Sequence, residues 1–226
     1  MLVAASAGAA EGDWLIADRQ TAGRGRLGRA WESPSGNLYA SGLVRLQFGD
    51  PDAATLALVA AVALHDAVAF WTPAIQLKWP NDLLAGHAKL AGVLLERAGD
   101  AVVVGIGVNF AHHPMTLDRP VMSLTALGIA PPEPLVFAEM LAEIFARRLD
   151  CWRSNGLSAI RKAWLDRAHP TGTALVANLP DGKAVHGLFD GLTEDCALRL
   201  RSTTSFGTGL ADGAVRVIHA GDVFLI

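Results

Sequence analysis

Arginine and glycine alternate through the stretch Gln20-Thr21-Ala22-Gly23-Arg24-Gly25-Arg26-Leu27-Gly28-Arg29-Ala30-Trp31. The guanidiniums of Arg24, Arg26 and Arg29 are planar forks of donors that stay charged and suit carboxylates and phosphates. Gly23, Gly25 and Gly28 let the backbone take positive φ or lie close to a ligand. The chemistry on offer is anion binding, although the spacing alone fits a solvated basic turn equally well. Two phosphate-binding motifs are excluded. The stretch lacks the Gly-Lys-Ser/Thr ending of a P-loop. It does contain Gly-x-Gly-x-x-Gly, but a dinucleotide fingerprint must run into a helix, and Trp31-Glu32-Ser33-Pro34-Ser35-Gly36 reads as a turn.

A second set of candidates follows. Lys78-Trp79-Pro80-Asn81-Asp82 and Lys89-Leu90-Ala91-Gly92 place lysines at both ends of an expected hairpin loop within residues 75–96. Alone, such lysines read as ordinary hairpin ends. Gly105-Ile106-Gly107-Val108-Asn109 puts two glycines on one face of an expected strand, which permits close approach of a ligand or marks a bulge.

The elements that position these residues are legible in outline. Residues 2–10 read as the tail of a helix ending at Gly12, and Trp14-Leu15-Ile16-Ala17 as a strand leading into the arginine loop. Asn37 to Leu46 alternates as a return strand. Asp50 is the expected N-cap, with Pro51 at N1, of an apolar helix running to Trp71 and stopped by Thr72-Pro73. That helix is long enough for a bilayer, but its alanine content and the His65-Asp66 pair favour burial against a sheet. Residues 102–109 form a further strand. Helices are expected from Pro134 to about Trp152, with Arg147-Arg148 on a solvated face, and from Leu157 to Ala168. After Pro170-Thr171-Gly172, short strands near 173–178, 183–189, 196–201, 206–210, 214–219 and 222–226 suggest a small barrel. The expected division is therefore 1–170 and 171–226.

Composition limits the function classes. The chain has 226 residues, 51% hydrophobic and 18% charged, enough for a substantial core. A formal net charge of −3 gives no support to a general nucleic-acid binder, so the arginines are a local device. With two cysteines and no Cys-x-x-Cys, neither a disulfide framework nor a zinc site is expected. No positively charged segment precedes the apolar start, so no signal peptide is expected, and His112-His113 reads as a surface turn.

Taken together, residues 20–31, Lys78-Trp79-Pro80-Asn81-Asp82, Lys89-Leu90-Ala91-Gly92 and Gly105-Ile106-Gly107-Val108-Asn109 resemble the biotin protein ligase family in order and spacing, with the likeness extending from about Gly12 to Ile226. The resemblance implies an α+β fold: a mixed sheet backed by helices, as in class II aminoacyl-tRNA synthetases, followed by an SH3-like barrel. It implies that biotin and Mg·ATP give biotinyl-5′-AMP and pyrophosphate, and that the biotinyl group then passes to a lysine of a carboxylase's biotin carboxyl carrier domain. Lys89, Arg24, Arg26 and Asp82 would be catalytic, Asp82 by orienting the incoming lysine. Gln20, Gly23, Arg24, Arg26, Lys89, Gly92, Gly105 and Gly107 would bind biotin. Arg26, Arg29, Trp31, Lys78, Asn81 and Asn109 would bind ATP, with Trp31 on the adenine face, Asn109 at its edge, and Mg2+ carried by the phosphates. The chemistry suits the residues. A carboxylate and a phosphate brought to ~4 Å repel by on the order of 4 kcal/mol at an effective dielectric near 20, and fixed cations must offset that. Positioning and charge stabilisation then suffice without a covalent nucleophile.

The family's Ser/Thr-Asn motif upstream of the loop is not found, and the chain begins at Met1-Leu2-Val3-Ala4 inside the helix that follows it. A non-catalytic biotin- or adenylate-binding module is therefore the main alternative. A lipoate or octanoyl ligase of related fold is another, against which the Arg-Gly-Arg-x-Gly-Arg pattern argues. No DNA-binding domain precedes the core, so no regulatory role is expected. A cytoplasmic location, no membrane partner and an edge strand that would allow a homodimer complete the expectations.

Overall fold

The computed structural model describes residues 1–115, 119–203 and 213–226. The expected strand at 206–210 lies outside them. A six-stranded sheet and a five-stranded sheet share one continuous hydrophobic core. The first sheet contains β1 (Trp14–Ala17), β2 (Leu38–Arg45), β3 (Ile75–Lys78), β4 (Asp82–Ala85), β5 (Ala88–Ala98) and β6 (Ala101–Val108), in the order β1-β2-β6-β5-β4-β3. All its ladders are antiparallel. Parallel contacts are confined to isolated bridges from Leu77 to Ala168 and from Lys89 to Val121.

One face of this sheet carries Val102, Val104, Ile106 and Val108 against helix α2 (Leu56–Val68). Ten of the helix's residues are buried, which settles the fate of the apolar run: it is a core helix. Among the described residues no helix is long and apolar enough to cross a membrane. The helix is shorter than its sequence suggests, because residues 53–55 form a 3-10 turn and its cap is Asp52. The Asp52 side chain accepts from the Ala54 amide at 2.8 Å, whereas Asp50 turns away to the Gln47 amide and Arg153. Helix α3 (Pro134–Leu165) covers α2 and is broken at Gly156 (φ 74°), as the expected pair of helices requires. Trp152 donates to Thr55 Oγ1 at 2.8 Å, and Arg148 joins Arg167 in binding Asp66 of α2, at 2.5 and 2.6 Å. Arg148 is thus a helix-to-helix tie, not part of a solvated face.

On the opposite face, a short helix α1 (Leu2–Ser6) covers Leu43, Ala101 and Val103. Beyond that patch, the same face is open. The second sheet contains β7 (Ala174–Asn178), β8 (Ala184–Leu192), β9 (Leu198–Arg201), β10 (Val215–Ile218) and β11 (Asp222–Leu225), in the order β10-β9-β8-β7-β11. Its last strand reaches back to the open face of the first.

Candidate active site

The open face holds a cavity of about 480 Å³, within the range of small-molecule sites. Antiparallel register builds its floor. Tyr39 pairs with Gly107, Gly107 with Gly92, Gly92 with Asp82 and Asp82 with Lys78. Cross-strand partners share a face, so these residues form one row across β2, β6, β5, β4 and β3. The two glycines in the middle of the row leave a hollow where side chains would stand.

The expected hairpin over 75–96 is in fact a three-stranded meander, because Asp82-Leu83-Leu84-Ala85 forms β4 rather than a loop. A bulge is the decisive local feature. Leu83 pairs with Ala91 but Leu84 pairs with Lys89, so Leu90 is the extra residue. One added residue flips the alternation of a strand. Without it, Lys89 would face the α2 core; with it, Lys89 shares the pocket face with Gly92. A Cβ on Gly92 would lie 2.9 Å from Lys89 Nζ, so the glycine is the gap through which the lysine reaches Asp82. The main chain of Lys89 is pinned as well: its amide donates to Pro120 O and its carbonyl accepts from Met122 N, both at 2.9 Å.

Lys78, Asp82 and Lys89 form a buried cluster. Lys89 donates to Asp82 Oδ1, and Lys78 Nζ lies 3.0 Å from Asp82 Oδ2 and donates to Val223 O at 2.6 Å. Burial acts to raise the Asp82 pKa, but the two ammoniums outweigh it and hold the carboxyl well below the usual carboxylate range. Burial also pushes the Lys89 pKa down. Asp82 opposes that shift, while Arg119 and Lys78 add to it. Asn81 donates to Val93 O and fixes the start of β4.

The arginine loop forms the opposite wall. Its glycines mostly serve the loop itself: a Cβ on Gly23 would meet the Trp31 carbonyl and Ser33, and Gly23 is not among the lining residues. The loop is tied by Trp31 N to Gly23 O (2.9 Å) and Gly25 N to Arg29 O (2.7 Å), and Leu27 takes φ 56°. Carboxylates on two different strands hold its arginines. Arg24 pairs with Glu96 of β5 at 2.8 Å, and Arg29 donates to Asp222 Oδ1 of β11 at 2.8 Å. Arg26 is held loosely, 3.8 Å from Asp222 Oδ1 and 3.4 Å from Gly221 O. The Trp31 ring lies over Lys89 Nζ at 5.3 Å, and a Cβ on Gly107 would stand 2.9 Å from it.

The cavity wall therefore includes Gln20, Arg24, Arg26, Arg29, Trp31, Lys78, Asn81, Asp82, Lys89, Gly92, Gly105 and Gly107. Asn109 does not line it. Its side chain donates to Met122 O at 3.1 Å and so braces the segment that pairs with Lys89. Gln20 accepts from Ser33 Oγ at 2.8 Å. Glu96, Arg119, Asp222 and Phe224 also face the cavity, and no local sequence signal marks them. Arg119 immediately precedes the Lys89-pairing segment, a contact that only the fold creates. The Phe224 ring lies 5.5 Å from Lys78 Nζ. Among the described residues no group of three metal-ligating side chains occurs. The pocket's carboxylates are already engaged with cations, so the donor set fits an ion that arrives on substrate phosphates rather than a resident one.

Comparison with known proteins follows the same lines. Residues 5–109 match the model of the biotin/lipoate A/B protein ligase family. The chain is 40% identical over 204 residues to the biotin–[acetyl-CoA-carboxylase] ligase of Paracoccus denitrificans, covering 83% of each chain. It is 34% identical to the enzyme of that name from Mycobacterium tuberculosis, over 97% of this chain and 81% of the relative. In fold it is similar to a biotin protein ligase from Aquifex aeolicus solved with biotin and ATP, with a TM-score of 0.83, 23% identity, and coverage of 97% and 91%.

Proposed function

Because the chain belongs to the biotin/lipoate A/B protein ligase family, among its biotin–[acetyl-CoA-carboxylase] ligases, we propose that it activates biotin with ATP and transfers it to a carrier lysine. The observation that carries this reading is the convergence of Arg24, Arg26, Arg29, Lys78 and Lys89 on one cavity with a glycine floor. A net-acidic chain has no general reason to gather these cations on one hollow. Two anions that must meet supply one.

In the first step, a biotin carboxylate oxygen attacks the α-phosphorus. A new O–P bond forms, and the bond to the leaving pyrophosphate breaks. Lys89 stands nearest the floor and is the group assigned to the shared region between carboxylate and α-phosphate. Arg26, the least engaged of the loop arginines, reaches the phosphates. Gly92, Gly105 and Gly107 leave room for the biotin rings, and Gln20 offers an amide to the ureido group. Trp31 would leave its place over Lys89 to stack on adenine. Asn81 and Lys78 line the cavity where the phosphates would lie, and Mg2+ arriving on those phosphates would shield their charge. Asn109 is assigned here to support of the pocket wall, not to the adenine edge. In the second step, the neutral carrier amine attacks the acyl carbon, an amide forms, AMP leaves and the amine loses a proton. Asp82, held as a carboxylate, is assigned to orient that amine.

The small-molecule reaction needs both sheets, and we assign 1–170 to a synthetase-like catalytic unit and 171–226 to an SH3-like one that closes it. Both cysteines are free thiols, and ATP and carboxylases are cytoplasmic resources, so a cytoplasmic setting is inferred. The test is incubation with ATP, labelled biotin and a carrier domain. Label should appear on the carrier lysine and require ATP. Binding of biotin without transfer would favour the non-catalytic module, and transfer of lipoate in preference to biotin would favour the related ligase.

A further inference from the structure

Strand β11 and the residue just before it touch the cation set at four successive positions. Gly221 O accepts from Arg26 Nη2, and Asp222 accepts from Arg29 and lies near Arg26. Val223 O accepts from Lys78 Nζ, and the Phe224 ring underlies the same ammonium. Arg29 is already engaged at both ends: its Nη2 donates to Asp222 at 2.8 Å, and its Nε donates to Arg26 O at 3.2 Å, closing the loop's own turn. Arg26, by contrast, is half-buried with only long contacts. Burial works against its charge, and the Asp222 and Asp82 carboxylates offset part of that cost. Arginines and lysines crowded into one cavity repel one another and would push a loop outward unless a fixed anion compensates. A carboxylate in the cavity wall that bridges two guanidiniums does that while leaving other N–H donors of Arg26 free for a ligand.

We infer that Asp222 is a positioning residue for nucleotide binding: through Arg29 it clasps the arginine loop to the second sheet and so presents Arg26 to the phosphates. This rests on the functional reading above. It makes β11 a working part of the nucleotide site and gives the second sheet a defined role in the first step. It also separates the roles of the loop arginines, with Arg29 as the clasp and Arg26 as the ligand contact.

The experiment compares Asp222→Asn, Asp222→Glu, Arg29→Gln and the double variant Arg29→Gln/Asp222→Asn. Asp222→Asn should raise the KM for ATP about fivefold, the loss of one partly exposed ion pair, and leave the KM for biotin within about twofold. Asp222→Glu should restore most of the difference. The double variant should lose little beyond Arg29→Gln, since Asp222 acts mainly through that side chain and stands 3.8 Å from Arg26. An unchanged or lowered KM for ATP in Asp222→Asn overturns the inference, and so does an equal rise for both substrates. A further loss in the Arg29→Gln background as large as that of Asp222→Asn in the wild type overturns it too. A readout that needs no catalysis separates this from the functional reading. Trypsin should cut the ligand-free loop several-fold faster in Asp222→Asn than in wild type, and equal rates would defeat the clasp even if biotin activation were fully established. Wild-type protein with no biotin-dependent turnover would defeat the functional reading while leaving the trypsin result to stand.

Discussion

The lysine pair and the arginine loop supply cations to one cavity and are held in opposite ways. Lys78 and Lys89 sit on paired strands, buried, sharing the Asp82 carboxylate between them. Their main chains are locked by ladder bonds, by the bulge at Leu90 and by the bridge to Val121. The side chain of Arg24 is 65% exposed and that of Arg29 38%, and their anchors lie on two separate strands. The buried set is a preorganised field, whose reorganisation during reaction costs little. The loop is held by partly exposed ion pairs of the kind worth ~1 kcal/mol or less each, so a ligand can rearrange it. A site that must admit two substrates and then shield a hydrolysable adenylate needs both kinds of support.

The largest effect should come from breaking the rigid half. Lys89→Ala removes the ammonium nearest the floor and leaves Asp82 with Lys78 alone, and it should slow adenylation by roughly 10²–10³, read as biotin-dependent pyrophosphate release. Full activity in that variant would show that the sheet lysine is structural. Lys89 also sets a pH limit. Because burial lowers its pKa, activity should decline with rising pH before the ordinary lysine value of about 10.4, as the charged form is lost. A flat profile to that pH would contradict the assignment.

Gly107→Ala joins the two halves. A Cβ there stands 2.9 Å from the Trp31 ring, so the loop must shift while Lys78, Asp82 and Lys89 keep their places. Overpacking of this kind costs about 1–3 kcal/mol, visible as a lower unfolding midpoint together with a raised KM for ATP. No change in either would mean that Trp31 is not seated against the floor. A smaller effect concerns the loop alone. Trypsin should cleave after Arg24, Arg26 and Arg29 in the free protein and more slowly with biotin and ATP present; identical cleavage patterns would erase the contrast between the two halves.

The smallest effect on activity should come from His169, which does not line the cavity. Burial lowers its pKa to about 4, and its ring packs edge-on to Phe189 at 4.3 Å. The unfolded chain takes up the proton near pH 6.5 and the folded one only near 4. Stability should therefore fall by on the order of 3 kcal/mol as pH drops through that window, and level off below it. His169→Leu should flatten this slope in pH-dependent denaturation while leaving turnover at neutral pH intact. An unchanged slope would assign the acid sensitivity elsewhere.

Periodicity and turn residues made much of the first sheet legible, because Trp14–Ala17 and the strands around Lys89-Glu96 and Val102-Val108 alternate or run apolar between turns. The Pro80-Asn81 turn hid β4, since Asp82 looked like part of the turn that its own strand in fact follows. The motifs identified the residue types at the site but not the device that aims Lys89, because a one-residue bulge leaves no mark in a run such as Lys89-Leu90-Ala91. Asp222 was out of reach for a different reason. It stands 193 positions from Arg29, in a strand whose local pattern concerns only its own sheet. Local sequence encodes which cations are present; long-range pairing decides which of them are free.

Exchange of labelled pyrophosphate into ATP, with no carrier protein present, tests most directly whether a carboxylate and a nucleotide phosphate meet in this cavity. Exchange should require biotin and should collapse in Lys89→Ala. Exchange without biotin, or none at all in wild-type protein that binds both substrates, would contradict the account.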